Sequence, residues 1–277
     1  MATMKTLNGY GFNATELNGK SPEYYIQPRN LLDNSDLGNP VNQRGQSSYT
    51  GEGYAIDRWR CTMASGTTTY TVGGILQLGK GYGQFVQVLP KHYEGKALTF
   101  AVYLSDVSSV DIIVIINDGS SQSVTQVHQG LNIVTHTVRS DATTLFVGLQ
   151  NNSQSSDQNC TPVWAALYEG SYTAETLPPY VPKGYAAELA ECQRYYELVG
   201  IHKYSIGRIG EVYFDIQFTQ KRISPTVTMA LDMASNNIVN KREVWAANLI
   251  SAGGLLFYAN DANVSYWYGS AIVSADL

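Results

Sequence analysis

Apolar and polar residues alternate along much of the chain, and a period of two is the pattern of a β-strand that buries one face. Residues 97–106 show this alternation clearly, because every second position is apolar: Leu98, Phe100, Val102 and Leu104. Tyr103 falls on the opposite face of this predicted strand. Residues 111–117 instead form a continuous apolar run, which indicates a strand covered on both sides, and the run ends at the turn signal Asn117-Asp118-Gly119-Ser120.

Further strands follow at the spacing of a β-sandwich, in which each strand and its turn take about 8–12 residues. The pattern predicts these strands before residue 178: 54–60, 68–78, 84–89, 97–106, 111–117, 131–138, 143–150 and 161–169. We therefore expect residues 31–178 to form a jelly-roll β-sandwich. Residues 1–30 carry little periodicity, and we expect them to form an extended arm that attaches the protein or trimerises it.

The segment Pro178-Pro179-Tyr180-Val181-Pro182 separates this sandwich from a second unit at residues 185–277, because a helix cannot pass through its prolines. Apolar residues then recur at steps of three and four over 185–199, which predicts one amphipathic helix. Alternation returns afterwards and predicts antiparallel strands at 212–218, 227–233, 244–250, 255–258 and 266–273. The predicted fold class is all-β: a jelly-roll β-sandwich followed by a smaller antiparallel β domain that one short α-helix opens.

The low fraction of charged residues and the high tyrosine content limit the kinds of partner that the protein is expected to bind. Of the 277 residues only 15% are charged, against about 25% in an average soluble protein, whereas 25 are Gly and 20 are Tyr. The net charge of −5 leaves no basic stripe for a phosphate backbone, so we expect no nucleic acid partner. This composition suits β-structure that recognises neutral polar partners, and both an enzyme and an adhesin fit it.

Neither a membrane-spanning segment nor a signal peptide is predicted. The longest apolar stretch lies within 111–117 and is far shorter than the roughly 20 residues that span a bilayer. The N-terminus lacks the apolar core of a signal peptide, so we expect assembly in a cytosol and no membrane insertion. The three cysteines lie far apart and lack zinc-ligand spacing, which predicts buried free thiols: Cys61, Cys160 and Cys192.

Short motifs spread over the chain carry a resemblance that composition does not. Two of them open the predicted sandwich, Asn30-Leu-Leu-Asp-Asn-Ser-Asp36 and Tyr54-Ala-Ile-Asp-Arg-Trp59, and Trp164-Ala-Ala-Leu-Tyr-Glu-Gly170 closes it. The second unit carries Glu188-Leu-Ala-Glu-Cys-Gln-Arg-Tyr-Tyr196 on its predicted helix and ends in Ser274-Ala-Asp-Leu277. In this order the motifs resemble those of bacteriophage and prophage tail fibre proteins.

The resemblance implies a component of a phage tail, localised to the virion after assembly in the bacterial cytoplasm. It implies a sandwich similar to carbohydrate-binding modules, a homotrimer, and contacts with host cell-surface glycans and with other tail proteins. Residues 218–228 resemble the first hairpin of the C-terminal domain of such proteins. They depart from the pattern after Phe218, where a proline-rich strand entry is common and this chain has Thr219, Gln220 and Lys221.

No catalytic residue is predicted, because the sequence has no Gly-x-Ser-x-Gly, His-Glu-x-x-His or phosphate-binding loop. A carboxylate pair, either Asp106 with Asp111 or Glu52 with Asp57, would suit a glycosidase if folding placed the two groups about 5–10 Å apart. We therefore predict recognition without catalysis. Two alternatives stay open, a glycan-cleaving tail hydrolase on the same scaffold and a purely structural tail segment.

No cofactor or metal site is predicted. Oxygen ligands in the turns around Asp33 and Asp118 would allow a structural calcium, but no segment has the alternating carboxylates of a dedicated calcium loop. His136 alternates with apolar residues, which predicts a hydrogen-bonded, half-buried histidine rather than a catalytic base.

Exposed aromatic rings favour sugar binding, because the C–H faces of sugars stack on them while Asn, Gln and Asp bind hydroxyl groups. Aromatic residues beside a charged stretch and on both faces of the last predicted strand are the candidate ligand-binding residues: Trp245, Tyr266, Trp267 and Tyr268. For the last three, a subunit interface and the core stay open as alternatives. The other two tryptophans lie in sandwich strands and are predicted core residues: Trp59 and Trp164.

Overall fold

The computed structural model of the protein describes residues 28–62, 65–90, 92–203, 210–223, 225–230, 238–245, 252–259 and 267–276. Within these ranges the chain forms eighteen strands and one helix, which confirms the predicted all-β class. The same part of the chain contains no helix with the length and apolarity that crossing a bilayer requires. The arm predicted for residues 1–30 lies, up to residue 27, outside the described residues.

Twelve strands between residues 48 and 169 build two six-stranded antiparallel sheets. The first sheet contains, from one edge to the other, β1 (Ser48–Thr50), β4 (Thr69–Thr71), β5 (Leu76–Leu78), β12 (Gln158–Glu169), β7 (Ala97–Val107) and β10 (Gly130–Thr137). The second sheet contains, in the same sense, β2 (Gly53–Tyr54), β3 (Trp59–Thr62), β6 (Gln84–Val88), β11 (Phe146–Asn151), β8 (Ile112–Asn117) and β9 (Gln122–Gln126).

From β5 to β12 successive strands lie in opposite sheets, except for the hairpin of β8 and β9, and this is the connectivity of a jelly roll. In the first sheet the order β5-β12-β7-β10 places the last strand of the series beside the first, and the order β6-β11-β8-β9 in the second sheet follows the same scheme. The predicted jelly-roll sandwich is therefore confirmed. The predicted strand at 68–78 is in fact two strands, because Gly73, with a φ of 66°, turns the chain between β4 and β5.

The inner faces of both sheets form one apolar core. Alternate residues of β7 and β8 meet there: Leu98, Phe100, Val102, Leu104, Ile112, Val114 and Ile116. Trp59 stacks on Phe85 with the ring centroids 4.9 Å apart, which confirms Trp59 as a core residue. Ile113 and Ile115 on the other side of β8 are also buried, as the continuous apolar run predicts. The cysteines are free and buried, as predicted: Cys61, Cys160 and Cys192.

The described chain beyond residue 184 forms one helix and two three-stranded antiparallel sheets, as predicted in outline. The helix is α1 (Tyr185–Gln193). One sheet contains, in order, β13 (Tyr196–Lys203), β18 (Trp267–Ser274) and β15 (Thr226–Ala230). The other contains β14 (Gly210–Gln217), β17 (Ala252–Ala259) and β16 (Ile238–Trp245).

The helix ends earlier than the predicted range of 185–199. After α1 the backbone N–H of Tyr195 donates to the carbonyl of Cys192, and the chain then enters β13. Tyr196 is paired there with Ser274 at the end of β18. Pairing with this distant strand overrides the local three- and four-residue spacing, which had predicted a longer helix.

Candidate functional site

A cluster of charged side chains lies where α1 meets the sandwich, and we call it the joint. Its members come from the chain before β1, the turn before β3, the linker between β12 and α1 (residues 170–184), the helix and the residues just after it: Asp33, Arg58, Lys183, Glu188, Glu191 and the aromatic Tyr195. Glu188 lies on the inward face of α1 and is only 6% exposed, and it accepts a hydrogen bond from the backbone N–H of Asn34. The helix is therefore attached to the sandwich through a buried carboxylate.

Lys183 is the central cation of the joint. Its Nζ lies 3.0 Å from Oε2 of Glu191, and it donates to the carbonyl of Leu32 at 2.9 Å. The same Nζ lies 3.6 Å from Oδ1 of Asp33 and 3.7 Å from Oε1 of Glu188. Burial alone would lower the pKa of Lys183, but these three carboxylates outweigh it and raise the pKa above its ordinary value. The ammonium group therefore stays charged and holds the linker against the sandwich.

Arg58 is the second cation of the joint, and its side chain is 1% exposed. Its Nε donates to Oδ2 of Asp33 at 3.3 Å, and its Nη2 donates to the carbonyl of Val88 at 2.9 Å. The guanidinium carbon also lies 3.5 Å from the ring centroid of Tyr195, which is a cation–π contact. Arg58 thus connects β6, the chain before β1 and the residues that follow α1.

A second set of contacts joins the two units beside the joint. Arg44 forms an ion pair with Asp276 at 2.7 Å, and its guanidinium carbon lies 3.8 Å from the ring centroid of Tyr196. Nε2 of Gln43 donates to Oδ1 of the buried Asp57 at 3.0 Å and to the carbonyl of Tyr196 at 2.8 Å. Burial raises the pKa of Asp57 above its usual range. Two adjacent residues before β1 therefore bind the start of β13 and the residues that follow β18.

A pocket of about 170 Å³ opens beside the joint, between the chain before β1 and the start of α1, and we call it the joint pocket. At liquid density this is the volume of about six water molecules. Asn34, Val41 and Glu188 are the buried residues of its lining. The other lining residues are half-buried or exposed: Asp36, Asn39, Pro182, Lys183, Gly184 and Tyr185.

The lining of the joint pocket suits a small neutral ligand that carries hydroxyl groups. Asp36 and Glu188 supply acceptors, whereas Lys183 and the amide of Asn39 supply donors. An anion would meet two carboxylates and a cation would meet an ammonium group, so neither ion is favoured. Tyr185 is 56% exposed at the rim, and the C–H face of a sugar stacks on such a ring.

Three aromatic rings stack on the outer side of the first sheet: Tyr103, Trp164 and Tyr180. The ring centroids of Trp164 and Tyr180 are 4.7 Å apart, and those of Tyr103 and Trp164 are 6.0 Å apart. The prediction that Trp164 is a core residue is wrong, because Ala165 and Leu167 of the same strand face the core and leave Trp164 on the other side. The stack binds the linker to the sandwich through Tyr180.

The four predicted ligand-binding residues belong to different parts of the second unit. Trp245 is the last residue of β16. Trp267 and Tyr268 are the first two residues of β18, which lies in the other three-stranded sheet. Tyr266 lies outside the described residues. A role of these residues in ligand binding stays a prediction.

Three of the carboxylates considered for catalysis or calcium binding have partners within the chain: Asp33, Glu52 and Asp57. Glu52 forms a surface ion pair with Arg60 at 2.8 Å, whereas Asp57 is buried and bound by Gln43. Asp33 is contacted by both cations of the joint. In the ranges that the structure describes, no three His, Cys, Asp or Glu side chains are grouped in a way that could hold a metal ion.

The motifs that resemble tail fibre proteins meet at the joint. The motifs at 30–36 and 54–59 each contribute one of its charged residues, Asp33 and Arg58, and the motif at 188–196 contributes two, Glu188 and Glu191. The C-terminal motif contributes Asp276, which pairs with Arg44 beside the joint. Segments far apart in sequence therefore form one three-dimensional unit. A comparison of the chain with protein-family models and with curated proteins finds no match.

Sequence patterns did not predict the joint pocket, although one signal for it was present. Glu188 precedes Cys192 by four residues, so both lie on the same face of a helix, and a carboxylate on a buried face requires a partner. The identity of that partner was not predictable, because Asn34 lies 154 residues before Glu188 in the chain before β1 and Lys183 lies in the linker.

Proposed function

We propose that the protein is a tail fibre component of a bacteriophage or prophage that binds host cell-surface glycans without cleaving them. The joint pocket carries this proposal, because its lining contains both hydrogen-bond donors and acceptors, and these suit a neutral sugar unit together with the exposed ring of Tyr185. The jelly-roll sandwich supports it, since this fold is shared with lectin domains. The contact among the tail-fibre-like motifs at the joint is further support.

Recognition in the joint pocket would combine a few weak contacts. A sugar hydroxyl group donates to the carboxylate of Asp36, a second one accepts from the amide of Asn39, and the ring of Tyr185 packs on the C–H face. Each hydrogen bond contributes about 1 kcal/mol after exchange with water. The homotrimer that the resemblance implies would present three such pockets to one host surface, and the effective concentration of the second and third contacts would multiply the affinity.

The bonding of Glu188 supports binding rather than hydrolysis. A glycosidase needs one carboxyl group that protonates the glycosidic oxygen and a second that acts as base or nucleophile. Glu188 already accepts the N–H of Asn34 and lies 3.7 Å from Nζ of Lys183, so its charged form is engaged within the joint. Burial raises the pKa of Glu188 although Lys183 opposes the shift, and the group serves to hold α1 in place.

An array of bacterial surface polysaccharides tests this proposal with the whole chain. We expect binding to at least one neutral polysaccharide and a homotrimer in light scattering at the same protein concentration. Prolonged incubation with the bound polysaccharide should release no new reducing ends. A monomer that binds nothing on the array would refute the proposal, whereas new reducing ends would establish the glycan-cleaving alternative.

A further inference from the structure

A second surface of the sandwich, at the other end of β6 from the joint, carries an exposed aromatic ring on a strained backbone. The ring belongs to Tyr82, which lies in the loop between β5 and β6 and is 55% exposed. Its φ of 76° falls in the left-handed region, where glycine is favoured and a bulky side chain is strained. Strain of this kind is concentrated at functional sites.

Close packing explains the glycines of this loop but does not explain Tyr82. A Cβ atom at Gly79 would lie 2.4 Å from the backbone carbon of Gly66, and one at Gly83 would lie 2.5 Å from the carbonyl oxygen of Gly79. Glycine is therefore required at both positions. Glycine at position 82 would likewise relieve backbone strain, yet the chain has a tyrosine there. More than half of the surface of Tyr82 is exposed to solvent, so its ring does not serve as a core residue.

The loop is fixed to the chain that follows β11. The backbone N–H of Gly81 donates to the carbonyl of Ser153 at 2.8 Å, and the N–H of Tyr82 donates to the carbonyl of Asn151 at 3.1 Å. Tyr82 is thus held on a rigid frame next to residues 151–153. Because the backbone of the loop is already fixed, binding at Tyr82 requires no ordering of the loop and costs less conformational entropy.

A row of side-chain amides begins at Gln84, two residues after Tyr82 in the sequence. Gln84 of β6 and Gln150 of β11 are directly paired on the side of the second sheet that faces away from the core. Nε2 of Gln84 donates to Oε1 of Gln150 at 2.6 Å, and Nε2 of Gln150 donates to Oδ1 of Asn152 at 2.9 Å. Asn152 is exposed, and its Nδ2 donates to no group in the described part of the chain. The row therefore ends with an amide donor in solvent.

We propose that Tyr82 and Asn152 form a second glycan subsite, which takes a neutral sugar unit, and that Gln84 and the buried Gln150 hold Asn152 in place. The C–H face of the sugar packs on the ring of Tyr82, while the amide of Asn152 donates to a hydroxyl or ring oxygen. The four side chains are uncharged, so the subsite selects hydroxyl groups rather than ions. Ligand binding then explains why a tyrosine occupies this strained backbone position, where folding alone would favour glycine.

This subsite rests on the proposed function, because it adds a second contact for the same class of ligand. It is separate from the joint pocket: Gln84 begins β6, whereas Val88 ends β6 and accepts a hydrogen bond from Arg58 of the joint. Four residues of strand span about 13 Å. A polysaccharide that binds both sites at once is bound more tightly than at either site alone, because the second contact forms at a high effective concentration.

Replacement of Tyr82 separates binding from folding. Cellohexaose, mannohexaose, maltohexaose and chitohexaose serve as probes in calorimetric titrations of the whole chain. We expect Tyr82→Gly to weaken the binding of a hexasaccharide by about tenfold, while its Tm stays equal or rises because glycine is unstrained at this φ. Tyr82→Phe keeps the ring and should bind within about threefold of the wild type.

Asn152→Ala removes the donor at the end of the amide row and should weaken binding about threefold to tenfold. The subsite is overturned if Tyr82→Gly binds as the wild type does, or if its Tm falls together with its affinity. In either case Tyr185→Ala at the joint pocket would still weaken binding, and the proposed function would stand. A wild-type chain that binds none of the four hexasaccharides would overturn the subsite as well, whereas the polysaccharide array alone decides the proposed function.

Discussion

Asp118 shows how a turn residue of the sequence becomes a buried charge. It is fully buried after β8 and accepts hydrogen bonds from the backbone N–H groups of Ser120, Ser121 and Arg139. Nε2 of His136 lies 3.0 Å from its Oδ2, which confirms that this histidine is hydrogen-bonded, although it is buried rather than half-buried as predicted. Burial alone would raise the pKa of Asp118, but these donors outweigh it and hold the pKa well below its usual range.

Asp118→Asn should lower the free energy of unfolding by about 2 kcal/mol, because an amide accepts fewer hydrogen bonds and turns an N–H₂ group toward the same donors. Urea unfolding followed by circular dichroism measures this change. Asp141→Asn is the matched control, since Asp141 lies in the turn after β10 and is exposed in its ion pair with Arg139. Equal losses in the two variants would show that the hydrogen bonds of Asp118 do not stabilise the fold.

The lowered pKa of Asp118 also predicts how its contribution depends on pH. An aspartate in the unfolded chain has a pKa of about 3.9, so the unfolded state takes up the proton first as the pH falls. The stabilisation is therefore complete above about pH 5 and is lost progressively below about pH 4. Unfolding of the wild type and of Asp118→Asn at several pH values should show a gap in stability that shrinks in acid. A gap that widens in acid would contradict this assignment.

Charged side chains attach the helix α1 to the sandwich, and the spacing of apolar residues along the sequence does not predict these contacts. The three- and four-residue spacing correctly predicts a helix that begins at residue 185, and it predicts an inward face that includes Cys192. The pairing of Lys183 and Glu188 with Asp33 and Asn34 was not predictable, because it joins positions about 150 residues apart. Whether a polar residue on an inward face is buried or solvated depends on such distant partners.

Arg58→Ala should lower the free energy of unfolding by about 3 kcal/mol, because it removes a buried cation and leaves part of the charge of Asp33 unbalanced. The nearby Arg60→Ala is the matched control, since Arg60 pairs with Glu52 at the surface and should change the stability by about 0.5 kcal/mol or less. Urea unfolding of both variants measures the difference. A small loss in Arg58→Ala would mean that Lys183 alone is sufficient to hold the joint.

Across the whole chain, alternation and turn signals were sufficient to predict a jelly roll followed by a helix and antiparallel strands. They were not sufficient to predict what covers the outer faces of the sheets. Trp164 was expected in the core, but it lies on the outer side, where Tyr180 of the linker stacks on it. The prolines at 178–182 correctly indicate a break between elements, yet Lys183 beside them is part of the joint. A period of two identifies the two faces of a strand and not the chain that packs on them.

We expect the joint pocket to bind a neutral sugar, and calorimetric titration of a glycan selected on the polysaccharide array tests this claim. Tyr185→Ala is expected to weaken binding at least tenfold with an unchanged Tm, because the ring of Tyr185 is largely exposed. Ile75→Ala removes a similarly exposed side chain, 55% against 56%, far from the pocket in sequence, and should bind as the wild type does. Equal affinities for the wild type, Tyr185→Ala and Ile75→Ala would contradict the claim.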